Sequence, residues 1–261
     1  MQIENNFKIR YSIDTDWKKE RKNFMEKEVF LKKIRGQMIV SCQAVPGEAL
    51  YVEEQSIMYL MARAAKLAGS PAIRTSSIRD VIAIKEETGL PVIGLIKITY
   101  PGYESYITPT MKEVDELVEA GADVVALDCT MRRRGDGTTI NEFLHAVRER
   151  YPDQLLMADV STYEEGVNAW KCGVDMVGTT MSGYTDYSPK LDGPDYDLMR
   201  RLASDLQIPV IGEGKIHTPE QAVEALKTGV WAIVVGGAIT RPAEIAGRFI
   251  KAIREDLGET L

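Results

Sequence analysis

Short, almost wholly apolar runs recur along the chain, with helix-like stretches between them. Five runs share a lead-in, in which a helical segment closes on glycine just before the run begins. They are Gly69-Ser-Pro-Ala-Ile, Gly89-Leu-Pro-Val-Ile, Gly121-Ala-Asp-Val-Val, Gly173-Val-Asp-Met-Val and Gly229-Val-Trp-Ala-Ile. Glycine just past a helix takes the left-handed cap conformation at little cost. Leu155-Leu-Met-Ala and Ile208-Pro-Val-Ile lack the glycine, and Met38-Ile-Val-Ser precedes all the others, which makes eight runs. Their unbroken apolar character suits strands buried on both faces.

The intervals predict helices. Ile57, Leu60, Met61, Ala64, Ala65 and Ala68 form the i, i+3, i+4 stripe of an amphipathic helix. Capping boxes open others: Thr110-Met-Lys-Glu113, Ser161-Thr-Tyr-Glu164 and Thr218-Pro-Glu-Gln221, the last with proline at the first helical position. In each box the hydroxyl and the carboxylate or amide satisfy N–H groups that the helix leaves unpaired. Strand and helix alternate eight times at a spacing of about 20–35 residues, the signature of a (β/α)8 TIM barrel. The alternative is an open doubly wound sheet. Eight units fill the length and leave no room for a second domain, which favours the barrel.

Residues 1–35 stand outside the repeat. Lys18 to Arg35 is dense in charge, with Phe24, Phe30, Leu31 and Ile34 interspersed. This reads as an N-terminal extension: a loose arm, then a helix that plugs the barrel bottom, with an interaction arm as the other reading. Residues 36–255 then form the catalytic barrel, and 256–261 a C-terminal tail.

Composition narrows the partners. The 261 residues are 44% hydrophobic and 27% charged, which excludes a disordered or collagenous chain. A net charge of −7 argues against nucleic acid as the main partner. No run approaches the ~18 apolar residues of a membrane span, and the polar start is not a signal peptide. Three cysteines without a CxxC pair, and no glycosylation sequon, point to the cytoplasm. Two histidines, His145 and His217, leave little for a His-rich metal site.

Chemistry in a barrel gathers where strands end. The residues closing the runs are Gln43, Arg74, Lys97, Asp128, Asp159, Thr179 with Thr180, Glu213, and the pair Gly236-Gly237. Nearly all hydrogen-bond or ionise, and they converge on one mouth. Strand seven runs into Gly212-Glu-Gly214-Lys215-Ile-His-Thr-Pro, and strand eight into Val235-Gly-Gly-Ala-Ile-Thr-Arg241-Pro. Glycines there let backbone N–H groups approach an anion, and loops seven and eight are the recurrent phosphate site of this barrel class. Arg241 adds a charge-assisted contact. The bland reading, tight turns only, suits one such loop better than two. No P-loop motif is present. Lys97 follows six uncharged residues and faces Glu213, Asp128 and Asp159 across the mouth. It serves as a base only where burial outweighs those carboxylates.

Other residues carry less. His217 reads as a loop or capping residue and His145 as surface. Cys42 and Cys129 read as small buried packing residues. Arg132-Arg-Arg134 reads as a solvated loop, or as a lure for anionic substrate. Ser182-Gly-Tyr184-Thr-Asp-Tyr-Ser188 is long enough for a lid, with hydroxyls and a glycine to contact a sugar.

From about Ile34 to about Ile253 the chain resembles the N-acetylmannosamine-6-phosphate 2-epimerase family, bacterial phosphosugar epimerases of sialic-acid breakdown. The resemblance rests on Ile39-Val-Ser-Cys-Gln-Ala44, Ala72-Ile-Arg74, Ile93-Gly-Leu-Ile-Lys97, Tyr106-Ile-Thr-Pro-Thr-Met-Lys-Glu-Val-Asp115 and Ala126-Leu-Asp128. It continues in Met157-Ala-Asp-Val-Ser161, Ser182-Gly-Tyr-Thr185, Gly212-Glu-Gly214 and Val235-Gly-Gly-Ala-Ile-Thr-Arg-Pro242. It implies a metal-free, cofactor-free epimerase that inverts C2 of N-acetylmannosamine 6-phosphate to give N-acetylglucosamine 6-phosphate. Lys97 matches the catalytic lysine and Glu213 its carboxylate partner. Gln43, Arg74 and Asp159 match sugar-binding positions. Arg241 and the Gly236-Gly237 loop match the phosphate clamp. The family commonly forms dimers. The N-terminal extension of about 30 residues is absent from the family pattern.

Three rivals stay open at this level. Lys97 can form a Schiff base, as in barrel aldolases. A metal-dependent pentose-phosphate epimerase shares the fold, although neither histidine closes a strand. A non-catalytic sugar-phosphate sensor needs no base, yet Lys97 and Glu213 are both present.

Overall fold

A computed structural model describes residues 25–258. The expected loose arm over residues 1–24 lies outside the described residues. Helix α1 (Lys27–Ile34) leads into strand β1 (Met38–Ser41), followed by α2 (Met58–Leu67), β2 (Ile73–Ser76), α3 (Ile78–Thr88), β3 (Val92–Leu95), α4 (Met111–Glu119) and β4 (Val124–Asp128). The chain continues through α5 (Ile140–Arg150), β5 (Leu155–Asp159), α6 (Tyr163–Lys171), β6 (Met176–Gly178), α7 (Tyr196–Asp205), β7 (Val210–Glu213), α8 (Pro219–Lys227), β8 (Ala232–Val235), α9 (Gly237–Thr240) and α10 (Pro242–Asp256). The eight strands form a closed parallel barrel in chain order, sealed where Val40 of β1 registers with Val235 of β8.

Side-chain alternation sorts each strand into two faces. Ile39, Ile93, Leu95, Ala126, Met157, Ile211 and Val234 pack inside the barrel. Val40, Ile73, Val125, Leu127, Leu156, Val177 and Ile233 pack outward against the helices. Both faces are buried, which is why the runs lack polar alternation. The lead-in glycines Gly69, Gly89, Gly121, Gly173 and Gly229 all have positive φ, between 63° and 99°.

Helix α1 closes the bottom of the barrel. Phe30 and Ile34 are fully buried in the same cluster as the inward strand residues. Trp231 donates its indole N–H to the Leu31 carbonyl at 2.8 Å, and Arg35 stacks on the same ring at 4.6 Å. Lys27 pairs with Asp175 at 3.0 Å.

Two local expectations shift. On α2 the buried residues are Met58, Ala62 and Ala65, while Leu60, Ala64 and Ala68 of the expected stripe are exposed. Small alanines on the inner face let the helix approach the strands, so the larger leucine turns outward. At α6 the capping box is Thr162 with Glu165, one residue beyond the expected Ser161–Glu164. Glu165 is buried and accepts from the Ser161 N–H at 2.7 Å and hydroxyl at 2.8 Å as well as from the Thr162 N–H at 3.1 Å. The register follows the face that must turn inward, with Gly166 and Ala169. The boxes at Thr110–Glu113 and Thr218–Gln221 form as read, and Thr139–Glu142 adds one more.

Gly94 sits in β3 with its missing side chain aimed at α3 and α4. A Cβ there would lie 2.9 Å from Ala122 Cβ and 3.1 Å from Val81 Cγ2. Close approach of a helix to a strand explains a glycine in such a position. Gly94→Ala is expected to cost about 1–3 kcal/mol by overpacking, read as a lower midpoint in urea unfolding. An unchanged midpoint would show that the α4 side can yield freely.

Candidate functional site

Strand parity aims the ionisable side chains at one mouth. Ser41 and Gln43 continue the inward series of Ile39, Arg74 that of Ala72, and Lys97 that of Ile93 and Leu95. Asp159 follows Leu155 and Met157, Thr180 follows Met176, and Glu213 follows Ile211. Arg74 is not at a strand end as expected. It is the second residue of β2, so its guanidinium reaches the mouth from inside the barrel.

A cavity of about 350 Å3 opens there, lined among others by Gln43, Arg74, Lys97, Tyr106, Thr180, Tyr184, Glu213, Gly214, Lys215, Gly236, Gly237 and Arg241. Arg74 is 1% exposed and anchors its base. Its Nη2 donates to Asp159 Oδ2 at 2.6 Å and its Nη1 lies 3.3 Å from Glu213 Oε2. Nη1 also donates to the Met157 sulfur at 3.4 Å. Arg74 Nε and Gln43 Oε1 are buried with no partner among the described residues, which leaves one donor and one acceptor open.

Thr180 Oγ1 lies 2.6 Å from Asp159 Oδ1 and 3.1 Å from Glu213 Oε2. A hydroxyl carries one proton. It therefore serves one of the two carboxyl groups at a time. Burial and the neighbouring Asp159 lift the Glu213 carboxyl to about 7, against the pull of Arg74, Thr180 and Lys97. Lys97 moves the other way. Burial, then Arg74 and Arg241, lower its pKa, while Glu213 and Glu48 oppose the shift.

The loop after β3 positions Lys97. It folds back so that Lys97 bridges Ile107 in antiparallel fashion, and the Thr108 N–H donates to the Ile96 carbonyl at 2.7 Å. Thr108 holds φ at +48° to make this turn, an uncommon conformation for a β-branched residue. The same fold-back brings Tyr106 into the cavity wall. Its hydroxyl has the Met181 sulfur at 3.6 Å, and burial lifts the phenol to about 12.

Several expected residues take other places. Asp128 is fully engaged: Oδ1 accepts from the Thr130 hydroxyl at 2.6 Å, and Oδ2 from Arg132 at 2.5 Å and the Tyr106 N–H at 3.1 Å. It braces the wall and does not line the cavity. Asp159 lies behind Arg74, 0% exposed. The Arg132–Arg134 run is not simply solvated. Arg132 stacks on Tyr106 at 5.3 Å, and buried Arg134 stacks on Phe143 at 4.0 Å and donates to the Pro109 carbonyl. The ammonium of Lys215 donates to the Leu191 carbonyl and sits over the Tyr184 ring at 5.8 Å, so it fastens the 182–194 segment. Ser182, Thr185 and Tyr187 also tie that segment to Asp195, Ser161 and Glu165. These contacts tie down the segment that is long enough for a lid.

Gly214, with φ +109°, and the Gly236-Gly237 turn face the same cavity beside Arg241. His217, set aside as a loop residue, also lines it, as do Tyr106 and Glu244. His145 is exposed, and Cys42 and Cys129 are buried, with burial pushing the Cys42 thiol up to about 12. Among the described residues no group of three or more His, Cys, Asp or Glu is placed to hold a metal ion.

A closed (β/α)8 barrel with a buried arginine–carboxylate base and glycine turns after β7 and β8 defines a TIM barrel of the phosphate-binding kind. Residues 58–255 match the family described as "Putative N-acetylmannosamine-6-phosphate epimerase". The chain belongs to the N-acetylmannosamine-6-phosphate epimerase family. It is 54% identical over 225 residues to the "Putative N-acetylmannosamine-6-phosphate 2-epimerase" of Caldanaerobacter subterraneus, covering 86% of this chain and 94% of that one. The protein of the same name in Clostridioides difficile is 48% identical over 223 residues, with 85% and 98% covered. The structure of the N-acetylmannosamine-6-phosphate 2-epimerase from Clostridium perfringens superposes with a TM-score of 0.81 at 46% identity, covering 85% of this chain and 96% of that one.

The raised pKa of Glu213 carries a stability cost. The folded chain holds this proton up to about pH 7, whereas the unfolded chain releases it near the ordinary 4.5. Stability from this group therefore falls as pH rises through that window. Glu213→Gln cannot ionise and escapes the loss. Its melting temperature relative to the parent is expected to rise between pH 4.5 and pH 8 in thermal scans. A difference that stays flat would place the Glu213 pKa at its ordinary value, and one that falls would place it below.

Proposed function

We propose that this chain interconverts N-acetylmannosamine 6-phosphate and N-acetylglucosamine 6-phosphate by moving the proton on C2. The observation that carries the reading is the pairing of Lys97 and Glu213 in one cavity, with the amine lowered and the carboxyl raised by burial. In the open-chain sugar the C2 proton lies α to the aldehyde. Neutral Lys97 takes it, and the electron pair moves into an enolate whose oxygen faces Arg74. Protonated Glu213 then returns a proton to the opposite face, inverting C2. The pair is left as ammonium and carboxylate, and it resets by reverse reaction or by exchange with water.

Binding groups surround this step. Gly214, Gly236, Gly237 and Arg241 supply an anion-binding end for the 6-phosphate, away from the reacting carbon. Binding energy gained there is used to orient C2. The open Oε1 of Gln43 accepts a substrate N–H or O–H, and Thr180, Tyr184 and Asp159 belong to the sugar-facing wall or its support. Base, acid and charge-stabilising cation all come from the chain, so the reading includes no cofactor or metal.

The same reading takes a homodimer in the cytoplasm. No side chain of the 15-residue helix α10 is buried, and Phe249, Ile250, Ile253 and Leu257 are all at least half exposed. An apolar helix face of this size is covered by another surface in most stable proteins. No helix among the described residues is long and apolar enough to cross a membrane.

Two measurements test this reading. Incubation with N-acetylmannosamine 6-phosphate in heavy water is expected to give the C2 epimer by NMR, with deuterium at C2. Lys97→Ala should reduce that uptake by about 100-fold or more. Undiminished exchange removes Lys97 from the base role, and a sugar adduct on Lys97 after borohydride reduction points to Schiff-base chemistry instead. For assembly, sedimentation is expected to give a dimer that becomes monomeric when Phe249 and Ile253 are both replaced by glutamate. A monomeric parent overturns the dimer.

A further inference from the structure

The anion-binding arginine is already occupied. Arg241 Nη2 lies 2.7 Å from Glu48 Oε1, and its Nη1 lies 3.1 Å from Glu244 Oε1. Glu244 is the third residue of α10 and travels with Arg241. Glu48 does not. It comes from the loop after β1 and, with Arg241, lines a second cavity of about 230 Å3. Arg241 lines both cavities, whereas Glu48 lines only the second. The guanidinium thus sits between the two cavities, beside the Gly237 turn and with its Nη2 paired to Glu48.

Glu48 is held to this task. Its Oε2 accepts from the Val45 N–H at 3.0 Å, and its own N–H donates to the Val45 carbonyl at 3.0 Å. These contacts fix a turn that leaves Oε1 free for Arg241. An arriving phosphate dianion competes with that carboxylate for the same guanidinium, and the two anions repel each other. Glu48 also favours the Lys97 ammonium, so its charge reaches the reacting end of the cavity.

We infer that Glu48 is a positioning residue that occupies the Arg241 guanidinium beside the anion turns, and that substrate phosphate binds by displacing it. This rests on the reading of Arg241 as part of the phosphate clamp.

The test uses the full chain and inorganic phosphate as probe, with calorimetric titration of the parent, Glu48→Gln and Arg241→Met. Gln is isosteric, keeps an acceptor for Val45 and removes only the charge. Glu48→Gln is expected to bind phosphate about three- to tenfold more tightly than the parent, the scale of one partly exposed ion pair plus the relieved repulsion. Arg241→Met should bind at least tenfold more weakly. In turnover, Glu48→Gln should lower KM for the phosphosugar, a change that a merely structural role would not produce. If Arg241→Met loses phosphate binding but Glu48→Gln leaves it unchanged or weaker, the displacement idea is overturned and the clamp stands. If Arg241→Met binds phosphate as the parent does, the clamp itself is misplaced and the inference falls with it.

Discussion

A guanidinium sealed inside an apolar barrel needs carboxylates that cannot move away. Arg74 has one in Asp159 from β5 at 2.6 Å, with the Glu213 carboxyl from β7 at 3.3 Å as a second acceptor. Removing one partner of such a buried pair costs about 3–5 kcal/mol, because an uncompensated charge is left behind. The cluster therefore constrains the barrel as much as the barrel constrains the cluster. The three strands must keep their register, and inward parity must hold at residues 74, 159 and 213 together. A one-residue slip in any strand would turn its charge outward among the helices.

Most of the architecture was legible because its signals are local. Gly89 and Gly121 cap helices through their own φ, and Val92–Leu95 or Val124–Asp128 advertise burial on both faces through composition alone. The departures share one cause, which is that tertiary packing chooses among equivalent local options. Ser161-Thr-Tyr-Glu and Thr162-Tyr-Glu-Glu are both capping boxes on paper. The second wins because Glu165 can also accept from the Met131 N–H at 2.9 Å and the Tyr187 hydroxyl at 2.5 Å, contacts from remote parts of the chain. On α2, every third or fourth residue is apolar over more than one stripe, and only the strands beneath select the alanine face.

The candidate site divides along the same line. Lys97, Glu213 and the Gly236-Gly237 turn stand out because an ionisable group or a glycine pair ends an apolar run. Asp128 stands out equally, yet its oxygens are consumed by Thr130, Arg132 and Tyr106, and no pattern in the run itself announces those neighbours. Tyr106 enters the wall only through the left-handed turn at Thr108, which a threonine codon does not advertise. Glu48 meets Arg241 across 193 positions of sequence, beyond any periodicity.

These placements bear on how the proposed base and acid share one cavity. Ionised, Lys97 and Glu213 would each stabilise the other's charge. Burial opposes both charges, lowering the amine and raising the carboxyl. Arg74 and Arg241 add to this by disfavouring the ammonium, and Asp159 by disfavouring the carboxylate. A proton on Glu213 in turn removes one of the two charges that oppose the lowering at Lys97. The other charge is Glu48. A ligand that took Arg241 from Glu48 would add an anion at that end of the cavity and loosen the carboxylate already there. The balance at Lys97 is thereby tied to the contents of a site it does not touch.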